Sequence, residues 1–408
     1  MSVHVIGAGL AGLAAACQLT ELGHHVVVFE AANHAGGRAR SYFDKHLGCR
    51  IDNGNHLILS GNISTLSYLH RIGARRSLSG PSEPIFPFRN LENGEAWTLR
   101  LNQGSFPWWM FFRARRVPGT GLLHYKALLK LRSASKTDSV ASLLGGTANG
   151  PLYQRLLKPL AIAALNTMPE QAAAQPLKAV LAETLERGGY ASLPRWARVG
   201  LSETFIDPAV DWLRARGAEI RFGERVTELH PGQATVLAVP PWVASELLPG
   251  LTVPTEFESI CNLHFKYDMD PGEAGFWGLV GGLAEWVFVR NGIVSVTISA
   301  ANRYLEIDTD EIAARVWAEL AKAFKLPAEV PLFRVLWEKR ATMVGSPEQT
   351  ALRPGTRTDN PNVVVAGDWT DTGLPATIEG AIRSGNAAAM ALVNPVNEDA
   401  TPKRARKT

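Results

Sequence analysis

The sequence predicts an α/β fold of two interleaved domains, one with a parallel sheet and the other of α+β type. Three observations predict it. Residues 3–41 have the order strand, glycine-rich turn, helix and strand, and a second strand–helix pattern occupies residues 362–389. The chain has 408 residues, more than one hydrophobic core usually serves, so we expect two domains.

The N-terminal unit is a dinucleotide-binding fingerprint of the Rossmann type. Gly7, Gly9 and Gly12 form GxGxxG between an apolar run and a helical pattern, and a second apolar run ends at Glu30. Gly7 permits the tight turn, Gly9 lets a pyrophosphate approach the backbone, and Gly12 allows close packing of helix on strand. The Glu30 carboxylate can accept the ribose hydroxyls of an adenosine and would repel a 2′-phosphate, which disfavours NADP. The predicted contacts of this unit are Gly7, Gly9, Leu10, Ala11, Gly12, Glu30 and Ala31.

A further motif, Gly36-Gly37-Arg38, extends this fingerprint beyond a plain NAD site. Two glycines let the backbone fold beneath a cofactor, and a guanidinium can pair with a diphosphate. With this motif behind the ribose-binding acid, the chain resembles the amine-oxidase and phytoene-desaturase superfamily of FAD enzymes. The resemblance implies contacts from Gly36, Gly37 and Arg38, and FAD as the cofactor.

The C-terminal pattern, NVVVAGDWTDTGLPATIEGAIRSGNAAA, begins at Asn362 and resembles the second FAD segment of that superfamily. The resemblance implies that Asp368 binds the ribityl chain and phosphate region. It also implies that the helix opening near Pro375 points its N-terminus at the isoalloxazine ring, where a helix dipole stabilises negative charge. The implied contacts of this segment are Gly367, Asp368, Pro375, Ala376, Thr377 and Ile378. The resemblance further implies contacts from Asn53, Gly54 and Asn55 beneath the flavin and from Val226 near the adenine.

The predicted domains alternate along the chain. The FAD-binding domain is expected to comprise residues 1–80, 206–250 and 337–395, and the substrate domain residues 81–205 and 251–336, followed by a disordered basic tail at 396–408. Within the second FAD segment we expect a strand at 218–222 and a short hairpin formed by residues 225–229 and 234–239.

Composition excludes several classes of protein. A net charge of +4 over this length does not indicate nucleic-acid binding. Three scattered cysteines argue against a disulfide framework or a metal site. The first strand begins at Val3, leaving no room for a cleaved signal peptide, and the longest near-apolar stretch, residues 276–289, cannot span a bilayer. We therefore expect a cytoplasmic protein, peripheral on the inner face of the membrane.

Three segments narrow the resemblance to a family. Residues 51–62 (IDNGNHLILSGN), 374–385 (LPATIEGAIRSG) and 36–41 (GGRARS) closely resemble the hydroxysqualene dehydroxylases, the squalene-associated FAD-dependent desaturase-like proteins. The resemblance covers nearly the whole chain. It implies an oxidoreductase that removes the hydroxyl of hydroxysqualene to give squalene for hopanoid or sterol synthesis, with reduced FAD as the hydride source. The electron donor that reduces the flavin is not specified by the sequence.

The leaving hydroxyl requires an acid, because expulsion of hydroxide would be far slower. Asp52, His56 and Glu379 are the candidates, since they lie in segments expected beside the flavin. Each also has a simpler interpretation, with the two carboxylates as hydrogen-bond acceptors in a loop or at a helix start and His56 as a packed imidazole.

An aromatic and basic segment predicts contact with a membrane. Trp108, Trp109, Phe111 and Phe112 precede three arginines, Arg113, Arg115 and Arg116. Such interleaving suits an interface with anionic lipid. The alternative is an aromatic cluster in the core, with arginine stems reaching solvent.

Three rival functions stay open. A carotenoid-type desaturase would use the same fold in the oxidative direction. An amine oxidase is disfavoured because residues 257–262 lack the lysine that many members place before this strand, and Lys266 is a poor match. A non-catalytic prenyl-lipid carrier sharing this architecture is disfavoured because both FAD segments are complete.

Overall fold

The computed structural model describes residues 2–144 and 150–394 of the chain. The predicted tail at 396–408, and residue 395 at the end of the last predicted domain segment, lie outside the described residues. The described part contains two large sheets, a parallel one of five strands and a mixed one of seven.

The parallel sheet gathers strands from three distant stretches of the chain. Its strands are β1 (Ser2–Ile6), β2 (His25–Glu30), β10 (Glu219–Phe222), β11 (Thr235–Leu237) and β17 (Val363–Val365). They lie in the order β10-β2-β1-β11-β17, and each neighbouring pair is parallel. The three central strands and β17 are rich in buried valine, as expected of a sheet covered on both faces. The carboxyl ends of all five strands therefore share one edge.

Helices cover this sheet at close range. Three of them, α1 (Leu10–Glu21), α7 (Asp207–Arg214) and α11 (Ile378–Val393), contact its strands, and α2 (Ile63–Arg71) packs against α11. A β-carbon at Gly385 of α11 would lie 2.1 Å from the carbonyl oxygen of Ala11 in α1. The small residues of both helices thus allow the two FAD-like segments to pack directly against each other, although they are far apart in sequence.

The expected hairpin before β11 does not form. Residues 225–229 contain no strand, and of the second arm only Thr235–Leu237 is a strand, which pairs with β1 rather than with 225–229. Val226 and Leu229 instead pack against the apolar cluster beside β11 and β17. The prediction of a hairpin was wrong because the alternating apolar residues of 225–229 serve tertiary packing and not a strand pair.

The seven-stranded sheet forms the second layer. Its strands are β7 (Ile85–Asn90), β8 (Ala96–Arg100), β12 (Phe257–Lys266), β13 (Phe276–Val280), β14 (Trp286–Arg290), β15 (Ile293–Ile298) and β16 (Phe333–Met343). The order is β16-β12-β15-β14-β13-β7-β8. Helix α9 (Thr309–Phe324) covers one face and buries Trp317 against Phe265 of β12. Its first turn is capped by the Asp308 carboxylate, which accepts from the Asp310 amide.

A helical region follows β8. It contains α3 (Lys126–Leu131), α4 (Val140–Leu144), α5 (Lys158–Leu165) and α6 (Ala174–Glu183), which share one apolar cluster with β7 and β8. The smaller elements are β3 (Ser41–Asp44), β4 (Cys49–Asp52), β5 (Ile58–Leu59), β6 (Leu78–Ser79), β9 (Pro194–Ala197), α8 (Pro241–Leu247) and α10 (Pro347–Ala351). Among the described helices, none has the length and apolar character needed to cross a bilayer.

Candidate active site

A cavity of about 1110 Å³ is lined by residues of both large sheets. Gly7, Glu30, Glu224, Ala238 and Gly367 line it, each at or shortly after the carboxyl end of a different parallel strand. Ligands of open α/β sheets bind in the crevice at this edge. The volume exceeds the usual range for one drug-sized ligand, which leaves room for a cofactor and a second molecule.

The three glycines of the GxGxxG motif meet different surroundings. Gly7 has φ +101°, and a β-carbon there would lie 2.3 Å from the Ala238 carbonyl oxygen. A β-carbon at Gly12 would lie 1.8 Å from the Gly7 carbonyl oxygen, whereas one at Gly9 would meet no protein atom within 4 Å. Gly7 and Gly12 are therefore needed by the protein itself. Gly9 leaves open space at the N-terminus of α1, where a phosphate would be favoured.

Glu30 is fixed at the end of β2 by two backbone amides. Its carboxylate oxygens accept hydrogen bonds from Ala8 and Ala32, each at 2.8 Å. The carboxylate borders the cavity in this position. It retains free lone pairs for hydroxyl donors, because a carboxylate offers about four acceptor sites.

The Gly36-Gly37-Arg38 segment connects the two ends of the chain. Gly36 and Gly37 have φ values of +115° and +55°, and the Gly36 amide donates to the Ala8 carbonyl. Arg38 donates from Nη2 to the Asp368 carboxylate at 2.6 Å, and from Nη1 to the carbonyl of Ala341. The guanidinium predicted to pair with the diphosphate and the carboxylate predicted to bind the ribityl chain and phosphate region thus form an ion pair across 330 residues.

The second FAD-like segment presents the start of α11 to the cavity. Thr377 caps this helix, with its hydroxyl oxygen accepting from the Gly380 amide at 3.1 Å. Ala376, Thr377 and Ile378 line the cavity, so the free amides and the positive dipole end of α11 lie at its edge.

Asn53 and Asn55 belong to a chain of polar contacts at the cavity wall. Asn55 Nδ2 donates to the Thr297 hydroxyl at 3.0 Å, which donates to Asn262 Oδ1 at 2.8 Å. Asn262 Nδ2 donates to the Asn53 carbonyl at 3.2 Å. Asn262 of β12 and Thr297 of β15 are directly paired across the sheet. Gly54 packs against Asn262, where a β-carbon would lie 3.3 Å from Nδ2.

Of the predicted cofactor contacts, all but Gly12 and Pro375 line the cavity. Gly12 lies behind the first turn against Gly7 and has a packing role. Which of the lining residues contact the cofactor stays a prediction.

Asp52 lines a smaller, adjoining cavity and is not among the residues around the large one. Its Oδ1 accepts from the Ser41 hydroxyl and from the Leu201 amide, at 2.5 and 2.9 Å. Its Oδ2 is paired with the Arg290 guanidinium. These contacts hold Asp52 as a buried carboxylate that joins three segments, an arrangement that does not suit a proton donor.

Glu379 borders the large cavity, but its oxygens are engaged elsewhere. They accept from the amides of Ser64 and Thr65 and from the Thr65 hydroxyl, at 2.8–3.0 Å. Arg383, one turn further along α11, approaches the same carboxylate at 3.2 Å. Glu379 thus satisfies the N-terminal amides of α2.

His56 borders both cavities. No hydrogen bond to its ring nitrogens is found within residues 2–144 and 150–394. Burial lowers the pKa of His56 to about 4, with the Arg38 guanidinium adding to this effect and the Asp52 carboxylate opposing it. The ring is therefore neutral at pH 7, with one nitrogen able to donate and the other to accept.

Comparison with known proteins identifies the family. The family model of the flavin-containing amine oxidoreductases matches residues 10–393. A hydroxysqualene dehydroxylase from Rhodopseudomonas palustris is 45% identical over 95% of this chain and 97% of its own length. The chain belongs to the hydroxysqualene dehydroxylase family of flavin-containing amine oxidoreductases.

Two weaker similarities complete the comparison. The solved cyclohexylamine oxidase from Brevibacterium oxydans has a TM-score of 0.70 at 17% identity, covering 96% of this chain and 98% of that one. A probable zeta-carotene desaturase from Synechococcus elongatus is 26% identical over 56% of this chain and 51% of its own length. The predicted fold class is confirmed, as is the prediction of an FAD-dependent oxidoreductase.

FAD fits the residues of this flavoenzyme. The open space at Gly9, the fixed carboxylate of Glu30 and the capped start of α11 lie along one wall of the cavity. They offer, in this order, amides for a diphosphate, an acceptor for ribose hydroxyls and a positive dipole for the flavin ring.

The other end of the cavity is apolar. It is lined by Phe86 and Phe88 of β7, Trp286 and Phe288 of β14, Leu156 and Leu160 around the start of α5, and Val180 and Leu181 of α6. Phe88 meets Trp286 edge to face at 5.9 Å between ring centroids. A long hydrocarbon would bury its surface here without leaving polar groups unpaired.

Some lining residues of the flavoenzyme were missed from sequence. Asn262 and Thr297 stand in buried strands, where a polar residue among apolar neighbours is an informative signal. Lys339 and Arg340 of β16 also line the cavity, with the Arg340 guanidinium 4.5 Å from the ring centroid of Trp242. No comparable signal marks these two, because charged residues in a strand are usually exposed.

The predicted membrane segment divides into exposed and buried residues. Trp108, Phe111 and Phe112 are exposed by 41%, 57% and 55%. Trp109 is buried and meets Tyr125 edge to face, so its predicted place at a membrane was wrong. The short 3-10 helix at Trp108–Phe111 accounts for the difference, because it turns consecutive rings to different sides.

Proposed function

We propose that this chain reductively removes the hydroxyl of hydroxysqualene, giving squalene as a precursor of hopanoids or sterols. The observation that carries the proposal is its similarity, over nearly its whole length, to proteins of that activity. A cavity with a nucleotide-binding end and an apolar end supports it, since the reaction needs both a flavin and a long triterpene.

FAD would be held by the predicted contacts along the nucleotide end. Glu30 would accept the ribose hydroxyls, the amides at the start of α1 would hold the diphosphate, and Arg38 and Asp368 would bind the phosphate and ribityl region. The N-terminus of α11 would face the isoalloxazine ring. When bound and reduced, FAD would supply the hydride that takes the place of the hydroxyl on the allylic carbon.

His56 is the acid that the surroundings favour. The oxygens of Asp52 and Glu379 are occupied by donors, whereas the His56 ring borders the substrate cavity. One ring nitrogen would donate its N–H proton to the departing hydroxyl, which leaves as water, while the other ring nitrogen takes up a proton from solvent. The C–O bond is then replaced by a C–H bond to the hydride, one water is formed and the imidazole stays neutral.

The substrate would be oriented by polar groups at the junction of the two ends. Asn55, Thr297 and Asn262 form the hydrogen-bonded chain there. They would hold the substrate hydroxyl close to His56, while the rings of β7 and β14 enclose the hydrocarbon. Exclusion of bulk water by these rings would protect the allylic cation that departure of the hydroxyl leaves.

Two rival functions are less well supported. Lys266 Nζ donates to the Leu47 carbonyl and is not among the cavity residues, so it does not take the place of an amine-oxidase lysine. A carrier without flavin would not need the open space at Gly9. A desaturase acting oxidatively on a long isoprenoid stays the second candidate, because the same apolar cavity would accept its substrate.

We further propose that the enzyme is peripheral on the inner face of the cytoplasmic membrane. Exposed apolar side chains cluster in one stretch, Phe106, Trp108, Phe111, Phe112, Leu122, Leu123 and Leu129. Arg113, Arg115 and Arg116 stand beside them, and the Arg115 guanidinium lies 4.8 Å from the Trp108 ring centroid. Apolar and cationic groups together suit anionic lipid. A nearly insoluble substrate could then enter directly from the bilayer.

An anaerobic assay tests the reaction and its direction. Photoreduced enzyme is mixed with hydroxysqualene, and oxidised enzyme with squalene, and products are identified by mass. We expect squalene and stoichiometric flavin reoxidation in the first mixture, and no hydroxylated or dehydrogenated product in the second. Reduced flavin that persists with hydroxysqualene, yet is reoxidised by ferricyanide, would contradict the proposal. Oxidation of an isoprenoid by oxidised enzyme would favour the desaturase.

A further inference from the structure

A second, small cavity adjoins the large one at His56. It has a volume of about 40 Å³, and it shares Asn55, His56 and Phe288 with the large cavity. A buried water needs roughly 10–15 Å³ of cavity volume, so the small cavity has room for about three waters. Its wall is polar enough to hold them, with contributions from Asp52, His264, Arg290 and Ser295.

His264 contributes a buried ring nitrogen to this wall, and the backbone of Asp52 lies beside the ring. Its Nδ1 is 2.5 Å from the Ser295 hydroxyl on the neighbouring strand β15. Its Nε2 is buried without a hydrogen-bond partner of normal geometry among the described residues, and the whole residue is only 1% exposed. A buried polar atom of this kind costs free energy unless a water satisfies it. Water in the small cavity would provide the partner.

The far end of the small cavity reaches the protein surface. Arg50, Val199 and Asn291 line it and are exposed. Asp52 and Arg290 form an ion pair in the wall of this cavity. The small cavity therefore runs from solvent, past a buried ion pair and two histidines, to the wall of the active site.

We propose that this small cavity is the path by which protons reach His56 during the reaction. The inference rests on the proposed function, because removal of a hydroxyl as water consumes one proton in every turnover. A proton from solvent would cross the enclosed waters beside His264 and arrive at one ring nitrogen of His56. The proton on the other ring nitrogen would pass to the departing hydroxyl, so His56 ends neutral in its other tautomer.

The environment of His56 explains why such a path is needed. A neutral ring cannot store the proton beforehand, so each turnover must draw a new one from solvent. Asp52 is engaged by Arg290, Ser41 and Leu201, so it organises the path and does not itself carry the proton. The charged and titratable groups around the path are Arg38, Asp44, Arg50, Asp52, His264 and Arg290.

His264 and Ser295 are positioning residues in this proposal, and their removal tests it. His264→Phe keeps a ring of similar shape but removes both nitrogens. Ser295→Val adds apolar volume at the same wall and serves as a second variant should the first fail to fold. His4→Phe is the matched control, because His4 is a partly buried histidine of β1 that lines neither cavity.

The measurement is a single turnover of photoreduced, FAD-loaded enzyme with hydroxysqualene, in H₂O and in D₂O. We expect His264→Phe and Ser295→Val to slow squalene formation about tenfold and to increase its solvent isotope effect. Ferricyanide reoxidises the flavin without any hydroxyl that must be protonated. The flavin content of both variants, and their rate of reoxidation by ferricyanide, should therefore match those of His4→Phe. Wild-type rates and isotope effects in both variants would overturn the proton path alone. Failure of the wild-type enzyme to form squalene would instead contradict the proposed function.

Discussion

The nucleotide end and the substrate end of the large cavity are built in different ways. The nucleotide end uses backbone amides, glycines and helix termini that come from two short contiguous segments around Gly9 and Thr377. The substrate end uses side chains from strands and helices far apart in sequence, among them Leu160, Asn262 and Trp286. A cofactor common to many enzymes can be held by backbone, whereas a particular substrate must be recognised by side chains. The two ends should therefore respond differently to substitution.

Two glycine variants distinguish a residue that the cofactor needs from a residue that the fold needs. They are expected to have the largest effects, on both bound flavin and stability. Gly12→Ala should lose nearly all bound flavin and lower the stability of the apoprotein, because its β-carbon would overlap the Gly7 carbonyl, at a cost of about 1–3 kcal/mol or more. Gly9→Ala should also lose flavin, yet its apoprotein should melt at or slightly above the wild-type temperature, since its β-carbon meets no protein atom. Flavin absorbance and apoprotein melting curves measure both.

A wild-type flavin content in Gly9→Ala would contradict the assignment of this open space to the cofactor. Gly355→Ala is a suitable control, because a β-carbon at this exposed loop position also meets no protein atom within 4 Å and Gly355 lines neither cavity. It should keep both the flavin and the melting temperature of the wild type.

At the substrate end, His56→Gln should keep flavin and fold but slow squalene formation about 100- to 10,000-fold, the usual contribution of a positioned acid. Glu379→Gln should do the reverse, with nearly normal turnover per bound flavin and a lower melting temperature, because its oxygens hold the start of α2. Single-turnover kinetics and thermal melts of both variants provide the measurement. Equal loss of turnover in both, at full flavin content, would mean that the acid has been assigned incorrectly.

The same contrast explains how much could be predicted from the sequence. The fold class and the nucleotide end were accessible because GxGxxG, Glu30 and the segment from Gly367 act through local backbone geometry. The polar chain through Asn262 and Thr297 was not, since it depends on the register of β12 against β15. Asp52 and Glu379 were reasonable acids by proximity in sequence, but only the structure gives the donors that occupy their oxygens. The prediction that Trp109 contacts the membrane was wrong because the single helical turn at Trp108–Phe111 decides which of these aromatic rings is exposed.

The buried histidines predict a loss of stability in acid. Burial lowers the pKa of His264 from 6.5 to about 4, with Arg290 adding to the effect and the side chain and backbone of Asp52 opposing it. The unfolded chain therefore binds the proton first as the pH falls below 6.5, and the free energy of unfolding decreases until about pH 4. Titration of this residue alone lowers the free energy of unfolding by about 2 kcal/mol between pH 7 and pH 5.

His264→Phe should accordingly lose less stability than the wild type between pH 7 and pH 5, by up to this amount. Denaturant unfolding of both apoproteins at the two pH values measures the difference. His70→Gln, at an exposed position of α2, is the control and should follow the wild type. An identical pH dependence in His264→Phe would mean that the buried imidazole is already hydrated enough to titrate normally.

The smallest expected effect per residue lies at the surface, where the proposed membrane contact can be separated from the core. Trp108→Ser combined with Phe111→Ser and Phe112→Ser should leave melting temperature and flavin content close to wild type, because these rings are exposed. The triple variant should sediment less with anionic liposomes. Arg113→Gln and Arg116→Gln should each weaken binding by roughly 1 kcal/mol, an effect that added salt removes.

Trp109→Ala is the contrasting core variant and should cost about 3–5 kcal/mol of stability. If the triple variant loses flavin and unfolds as Trp109→Ala does, the exposed rings are part of the fold and the membrane contact is wrong; if it stays folded and still sediments fully, the contact lies elsewhere.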